Sequence, residues 1–237
     1  MKLNHDKYMA LAEMYLFAAV GQKVSGLIHN LNNHVHVADM QLAMLVTKSA
    51  ASGDKPLADF KDRLTRASGA TSMLAEILNQ NSRFSFYTQK SEIPFNLPEY
   101  LEWLLEFWDN DQFFKHKVSC ELIIETPGLH IKTTPFHLTS CLEQAIRNAV
   151  EACQESGAEG GYKMQIRAHP FEKGVAVAVK SFTRVPELDP WLEGSSSRPG
   201  RLGMGLPVCA WLASRMNWDI KLNRGAAETD FIVSIPG

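Results

Sequence analysis

Cysteine is scarce and scattered in this chain. The four in 237 residues, Cys120, Cys141, Cys153 and Cys209, form no CxxC pair and no dense framework. That spacing excludes a zinc ribbon and a disulfide scaffold, and points to a reducing compartment in which each thiol serves as a small core residue. An excess of one charge is also missing. With 24 Lys and Arg against 26 Asp and Glu the net charge is -2, so there is no electrostatic basis for nucleic-acid or anionic-membrane binding. Long apolar runs are missing too: the stretch from residue 8 to 20 contains Glu13 and falls short of the ~20 residues needed to span a bilayer. It lacks a signal-peptide pattern and reads as the start of a helix. These absences predict a cytoplasmic protein with no membrane span, whose partners are proteins or small molecules and whose input comes from another protein.

What is present is helical periodicity. Leu16, Val20, Val24, Leu27, Leu31, Val35, Ala38, Leu42 and Leu45 recur in steps of three and four, which predicts a first helix from about residue 6 to 48. The turn-forming residues 49–56 follow. Leu57, Phe60, Leu64, Ala67, Thr71, Leu74 and Leu78 then repeat the pattern, giving a second helix antiparallel to the first. A lone hairpin cannot bury two apolar sides. Pairing with a second copy would complete a four-helix bundle, so a homodimer through the hairpin is expected.

Beyond a polar stretch ending near Glu92 the elements shorten. The pattern predicts helices over 98–108, 135–155 and 206–216. It predicts strands over 118–125, 163–168, 175–179, 218–222 and 230–235, with Phe171-Glu172-Lys173-Gly174 as a hairpin connection. The fold class is α+β: a long helical hairpin over residues 1–91, then an α/β sandwich of helices and antiparallel strands over 92–237.

Three sets of residues carry chemistry. His29, in Leu27-Ile28-His29-Asn30-Leu31-Asn32-Asn33, lies about 200° round the helix from Leu27 at ~100° per residue. It should project outward with Asn32, Asn33 and His36, where an imidazole on a rigid helix is placed to act as a nucleophile; a solvated surface histidine is the bland alternative. Asn148, in Glu143-Gln144-Ala145-Ile146-Arg147-Asn148-Ala149, is an amide on a helix that could hold magnesium or a phosphate-bound water. Gly203 and Gly205, in Gly200-Arg201-Leu202-Gly203-Met204-Gly205-Leu206, precede a helix whose N–H groups could receive phosphate.

In order and spacing these pieces resemble the core of a two-component sensor histidine kinase across nearly the whole chain. The His29 segment resembles the phosphoacceptor box of the dimerisation and phosphotransfer hairpin. The Asn148 segment resembles the N box of the ATP-binding domain. Gly203-Met204-Gly205-Leu206 resembles its second glycine box, and residues 226–236 resemble its closing strand. The resemblance implies Mg-ATP as cofactor, with Asn148 on the magnesium and Gly203 and Gly205 on the nucleotide, and response-regulator receiver domains as partners.

The departures from that pattern bear on function. Where the family places an Asp-x-Gly-x-Gly box, whose aspartate reads the adenine amino group, this chain has Lys180-Ser181-Phe182-Thr183-Arg184-Val185. Ser181 brings no charge, Phe182 adds bulk, and Asp189 is a substitute only if the loop folds back. Gln144 stands in place of an upstream Asn. Asn30 replaces the acid after the phosphoacceptor; that acid acts as general base, and such help is worth ~10²–10⁴-fold in rate. These changes weaken ATP-dependent autophosphorylation. They leave phosphoryl exchange between His29 and a receiver aspartate, which needs only a held, accessible imidazole because the receiver supplies its own magnesium. Asn33, one turn after His29, could orient water against an aspartyl phosphate. The leading expectation is therefore a histidine phosphotransfer protein similar to the dimeric relay phosphotransferases. An active kinase with a divergent nucleotide site and a non-catalytic scaffold or regulator phosphatase are the alternatives.

The other histidines show no ligand spacing, and the five tryptophans suit core or domain-interface positions. Ser195-Ser196-Ser197-Arg198-Pro199 reads as a shortened, mobile remnant of an ATP lid.

Overall fold

A computed structural model describes residues 5–52, 60–157, 161–171, 174–183, 188–196, 198 and 200–237. Two long helices open the chain, α1 (His5–Ser52) and α2 (Lys61–Tyr87). The first outruns its expected end by four residues, Ser49-Ala50-Ala51-Ser52, where two alanines favour the helix and the serines oppose it only mildly. The expected turn from Gly53 to Pro56 and the expected helix start at Leu57 lie outside the described residues. α1 and α2 pack along their length as a hairpin.

The second region begins with β1 (Ile93–Asn96), α3 (Leu97–Trp108), α4 (Gln112–Lys117), β2 (Val118–Ile124) and β3 (His130–Thr133). It continues through α5 (Pro135–Ser156), β4 (Tyr162–Phe171), β5 (Gly174–Ser181), α6 (Gly205–Arg215), β6 (Asp219–Arg224) and β7 (Thr229–Pro236). Caps fix several ends. Asn96 accepts from the Glu99 amide at 3.0 Å with Pro98 in the first turn of α3, and Asp111 accepts from the Phe114 amide at 2.9 Å at the start of α4. Gly157, at φ 63°, ends α5 in the left-handed conformation that glycine adopts without strain.

The five-stranded sheet runs β2-β4-β5-β7-β6. Its strands are antiparallel except that β2 and β4 run parallel. This corrects the wholly antiparallel expectation: α5 is the crossover between β2 and β4, and a helical crossover returns the chain in the same direction. The short strands β1 and β3 form a separate antiparallel pair that the sequence pattern did not reveal, as it did not reveal the six-residue α4. The connection at Glu172 and Lys173 lies outside the described residues.

One sheet face is sealed and the other half exposed, as alternation predicts. Met164, Ile166 and Ala168 of β4, Val175, Val177 and Val179 of β5, and Phe231, Val233 and Ile235 of β7 are buried against α5, α6 and an aromatic cluster around Tyr87, Tyr100, Trp103 and Phe107. The four cysteines are free thiols, three of them buried and Cys120 half-buried. No described helix is long and apolar enough to cross a membrane.

Candidate functional site

The helix α1 has four distinct faces. Ala12, Leu16, Ala19, Lys23 and Gly26 are buried against the second region, with Asn30 half-buried after them. Next round the helix come Leu27, Leu31 and Leu45, half-buried, and Ala38, buried. Phe17, Val24, Ile28, Val35, Leu42 and Val46 form an exposed apolar stripe. The fourth face carries Met14, Ala18, Gln22, His29, Asn33 and His36, all exposed. His29 is thus open to solvent, and its Nδ1 lies 3.5 Å from Asn33 Nδ2. Asn30, at the place of the missing acid, turns the other way: its amide donates to Asn110 Oδ1 at 3.4 Å and its oxygen accepts from Lys115 at 3.0 Å. It cannot reach the proton of His29 as a base, both because an amide accepts none and because it is committed to the second region.

Seven residues before His29, about 10 Å down the helix and on nearly the same azimuth, Gln22 forms part of the wall of a cavity of about 450 Å³. Met14, Tyr15 and Ala18 of α1 complete that wall. The floor is two cross-strand rows of the sheet. Val179 pairs with Phe231, which pairs with Leu222. Ser181 pairs with Thr229, which pairs with Arg224. The first row is apolar; the second offers two hydroxyls and a guanidinium.

The remaining walls come from α5 and the segment entering α6. Asn148, half-buried on α5, lines the cavity with Gln144 and Arg147. Gln144 Nε2 donates to Asn148 Oδ1 at 3.0 Å. A Cβ on Gly205 would stand 2.5 Å from Gln144 Cδ, so this glycine lets the segment press against the amide. Gly203 has a stronger requirement: its φ is 62°, and a Cβ there would lie 2.5 Å from the Gly194 carbonyl carbon. The two segments are joined by the Gly194 amide donating to the Gly203 carbonyl at 3.1 Å. The predicted residues Asn148, Gly203 and Gly205 therefore do converge on one cavity, and His29 and Asn33 lie outside it, on the face of α1 that leads from it.

Two expectations are corrected. Phe182 does not fill the pocket; it is exposed and lies beneath Lys180, whose Nζ stands 5.4 Å from the ring centroid. Asp189 does not replace the missing aspartate, because it accepts from the Trp191 amide at 3.0 Å and is exposed. In the lid remnant Arg198 pairs with Glu151 at 2.8 Å and with Glu155, and beyond it Arg201 pairs with Glu151. Ser197 and Pro199 of that segment lie outside the described residues. Arg147, Arg198, Arg201 and Arg224 all line the cavity and were missed from the sequence. Two of them flank the glycines and one precedes Asn148, but an arginine in a loop or on a helix carries no spacing signal.

The chain itself offers few oxygens to Mg-ATP. Magnesium in such sites keeps waters and substrate phosphates and takes one or two oxygens from the protein. Here the Asn148 oxygen already accepts from Gln144, and the one cavity carboxylate, Glu151, is shared by two arginines. No group of three or more His, Cys, Asp or Glu among the described residues is arranged to hold a metal ion. At the inner end, a neutral serine stands where a carboxylate would accept from an adenine amino group.

The second region is bound firmly to α1. Lys23 Nζ lies 3.5 Å from Glu143 Oε1 and 3.5 Å from the Trp108 ring centroid, and Arg147 bonds Glu143 at 2.8 Å and the Gln22 oxygen at 2.5 Å. Burial, partly opposed by the Glu143 carboxylate, lowers the Lys23 ammonium to about 8. Tyr8 stacks on Trp211 at 5.4 Å, and its hydroxyl donates to Glu193. The hydrogen bond to Glu193 raises the Tyr8 phenol to about 12, keeping it a donor. Trp108 and Trp211 are thus interface residues, and Trp103 and Trp218 are core.

No family profile matches the sequence, and no curated protein matches it. Solved structures do. The catalytic domain of histidine kinase ThkA aligns with a TM-score of 0.53 at 18% identity, over 62% of this chain and 95% of that domain. The mycobacterial sensor histidine kinase MprB aligns with a TM-score of 0.51 at 16% identity, over 62% and 98%. Full-length ShkA, solved in complex with AMPPNP, aligns with a TM-score of 0.53 at 13% identity, over 99% of this chain and 46% of ShkA. Of these, ShkA aligns over the helical hairpin and the sheet region alike, and the chain has the fold of a histidine-kinase core.

Proposed function

We propose that the chain is a dimeric histidine phosphotransfer protein that exchanges a phosphoryl group between His29 and the aspartate of a response-regulator receiver domain. The observation that carries this reading is the separation of two features. His29 is exposed on a long helix, with the Asn33 amide 3.5 Å from its Nδ1, which leaves the imidazole accessible to a partner. Two observations weigh against ATP-dependent phosphorylation: Asn30 cannot take a proton, and the oxygens the cavity could offer a magnesium ion, on Asn148 and Glu151, are already engaged. Transfer to or from a receiver asks of this protein only the first feature, because the receiver brings magnesium and acid chemistry with it.

The apolar stripe on α1 supports the dimer. It lies about a third of a turn from His29, so a partner helix could cover it and leave the imidazole open. Asn33 also favours a second activity at the same place, dephosphorylation of the receiver, because an amide within reach of the imidazole can hold water in line with an aspartyl phosphate.

The test is to mix the protein with a phosphorylated receiver domain and to follow label in both chains. Acid-labile, base-stable label should appear on the wild type and be lost in His29→Ala. With radiolabelled Mg-ATP alone the wild type should stay unlabelled. Label from ATP that depends on His29 would make it a kinase, and loss of receiver phosphate unaffected by His29→Ala would sink the transfer reading.

A further inference from the structure

The residue after His29 brings a cation close to it. Asn30 turns towards the second region, and its oxygen accepts from Lys115 Nζ at 3.0 Å. Lys115 is exposed on α4, and among the described residues no carboxylate pairs with it. Burial raises the Asp109 carboxyl and the Lys115 charge lowers it in part, yet the two form no ion pair. The other cations that meet this part of α1 are committed, since Lys23 and Arg147 both pair with Glu143.

The helix α4 is set against α1 at two points. Gln112 and Lys115 are three residues apart and so share one face of α4. Gln112 Nε2 lies 3.1 Å from where a Cβ on Gly26 would stand, and Lys115 meets Asn30. Gly26 and Asn30 lie about 60° and 100° round α1 from His29, on the same side and within about one turn of it. Both exposed side chains of that face of α4 therefore flank the imidazole, and both end in hydrogen-bond donors. A phosphoryl group carries about -1.5 to -2 charge near neutral pH. The lysine ammonium is a compact charge on a flexible four-carbon stem, and exchanging a neutral amide oxygen for a phosphoryl oxygen gives it a charge-assisted hydrogen bond. An acid at residue 30 would instead hold Lys115 in an ion pair and present negative charge to the incoming group.

We infer that Lys115 swings from Asn30 onto the phosphoryl group carried by His29, so that α4 supplies the charge that holds the phosphorylated state. The inference rests on the proposed role of His29 as phosphoacceptor. In the transfer the imidazole lone pair forms the P–N bond while the P–O bonding pair leaves with the receiver carboxylate. Lys115 gives up no proton and stays an ammonium throughout.

Phosphoramidate, which phosphorylates imidazole directly with loss of ammonia, tests this on the full chain without a receiver. The phosphorus NMR signal missing from treated His29→Ala is that of the His29 phosphoryl group. On titration this group should give up its last proton roughly half a pH unit lower in the wild type than in Lys115→Met. The difference should fade in about 1 M salt, and Lys115→Arg should keep it. With a phosphorylated receiver domain, Lys115→Met should move the exchange equilibrium roughly three- to five-fold towards the receiver aspartyl phosphate. If Lys115 only ties α4 to α1, the variant loses stability in thermal melts while the titration stays put, and the inference is overturned. It is overturned as well if no phosphorus signal depends on His29. A titration that moves while no phosphoryl group exchanges with a receiver supports the role of Lys115 and removes the proposed transfer.

Discussion

Lys23 and Glu143 form an ion pair at 3.5 Å that is sealed from solvent on both sides, with side-chain exposures of 3% and 2%. One partner belongs to the helix that carries His29 and the other to the helix that carries Asn148, so this pair fixes the position of one candidate site relative to the other. Removing one member of a buried pair leaves an uncompensated charge, which costs about 3–5 kcal/mol. Glu143→Gln should lose stability on that scale in urea denaturation, since it strands both Lys23 and Arg147. Adding Lys23→Met to that variant should recover part of the loss, because the thioether can occupy the slot over Trp108 without a charge. No recovery in the double variant would mean that Arg147 alone carries the penalty.

Gly26 makes the same seam tight through its backbone. A Cβ there would lie 1.8 Å from the Asn110 carbonyl oxygen, and a backbone oxygen at a helix end cannot swing aside as a flexible side chain can. Gly26→Ala should therefore cost about 1–3 kcal/mol of overpacking, in spite of alanine's better helix propensity. Gly21, on the same helix with nothing within 4 Å of such an atom, is the control: Gly21→Ala should be neutral or stabilising by up to about 1 kcal/mol. Thermal melts of the two variants, one falling and one level or rising, check the claim.

The long elements were legible because each has one clear period. The heptads of α1 and α2, the amphipathic α5 and the alternating β4, β5 and β7 all follow from residue patterns that packing enforces. Short elements escaped: β1 has four residues, β3 has four, and α4 has six, too few for a period to show. At the site, Asn148, Gly203 and Gly205 were legible because they stand in a recognisable order. The wall that Met14, Ala18 and Gln22 contribute was not, since heptad positions on a helix say which face is buried but not which cavity a second face borders. The ion pairs of Arg198 and Arg201 were also hidden, because their partners Glu151 and Glu155 lie 43 to 50 residues away in sequence.

His137 gives stability a pH dependence. It is buried on α5, edge-on to Trp218, and its Nδ1 has no hydrogen-bond partner among the described residues. Burial, reinforced by the charge of Arg215, lowers the imidazole from 6.5 to about 4. Between those values the unfolded chain binds a proton that the folded chain refuses. Stability is therefore full above about pH 6.5, falls as the pH drops towards 4, and loses nothing further from this group below that, a total of about 3 kcal/mol. His137→Phe keeps a ring against Trp218 and removes the titration. Urea midpoints measured at pH 7 and pH 5 should differ less for this variant than for the wild type, and equal differences would remove His137 as the cause.

The exposed stripe on α1 makes the last prediction. Phe17, Val24, Ile28, Val35, Leu42 and Val46 step by seven, four, seven, seven and four, and Leu64 and Leu78 extend apolar exposure onto α2. A contiguous apolar face of this length is what a four-helix bundle would cover. In light scattering the wild type should run at twice its chain mass of 26.5 kDa. Val35→Asp would bring two carboxylates to the middle of the seam in such a dimer, where neither can be solvated. It should yield the monomer with its helix content intact by circular dichroism. The same change should spare the Lys23 seam, which lies on another face of the helix, so the monomer should keep the second region bound to α1. A wild type at the mass of one chain would leave this stripe without a second copy to cover it and would remove the dimer from the proposed function.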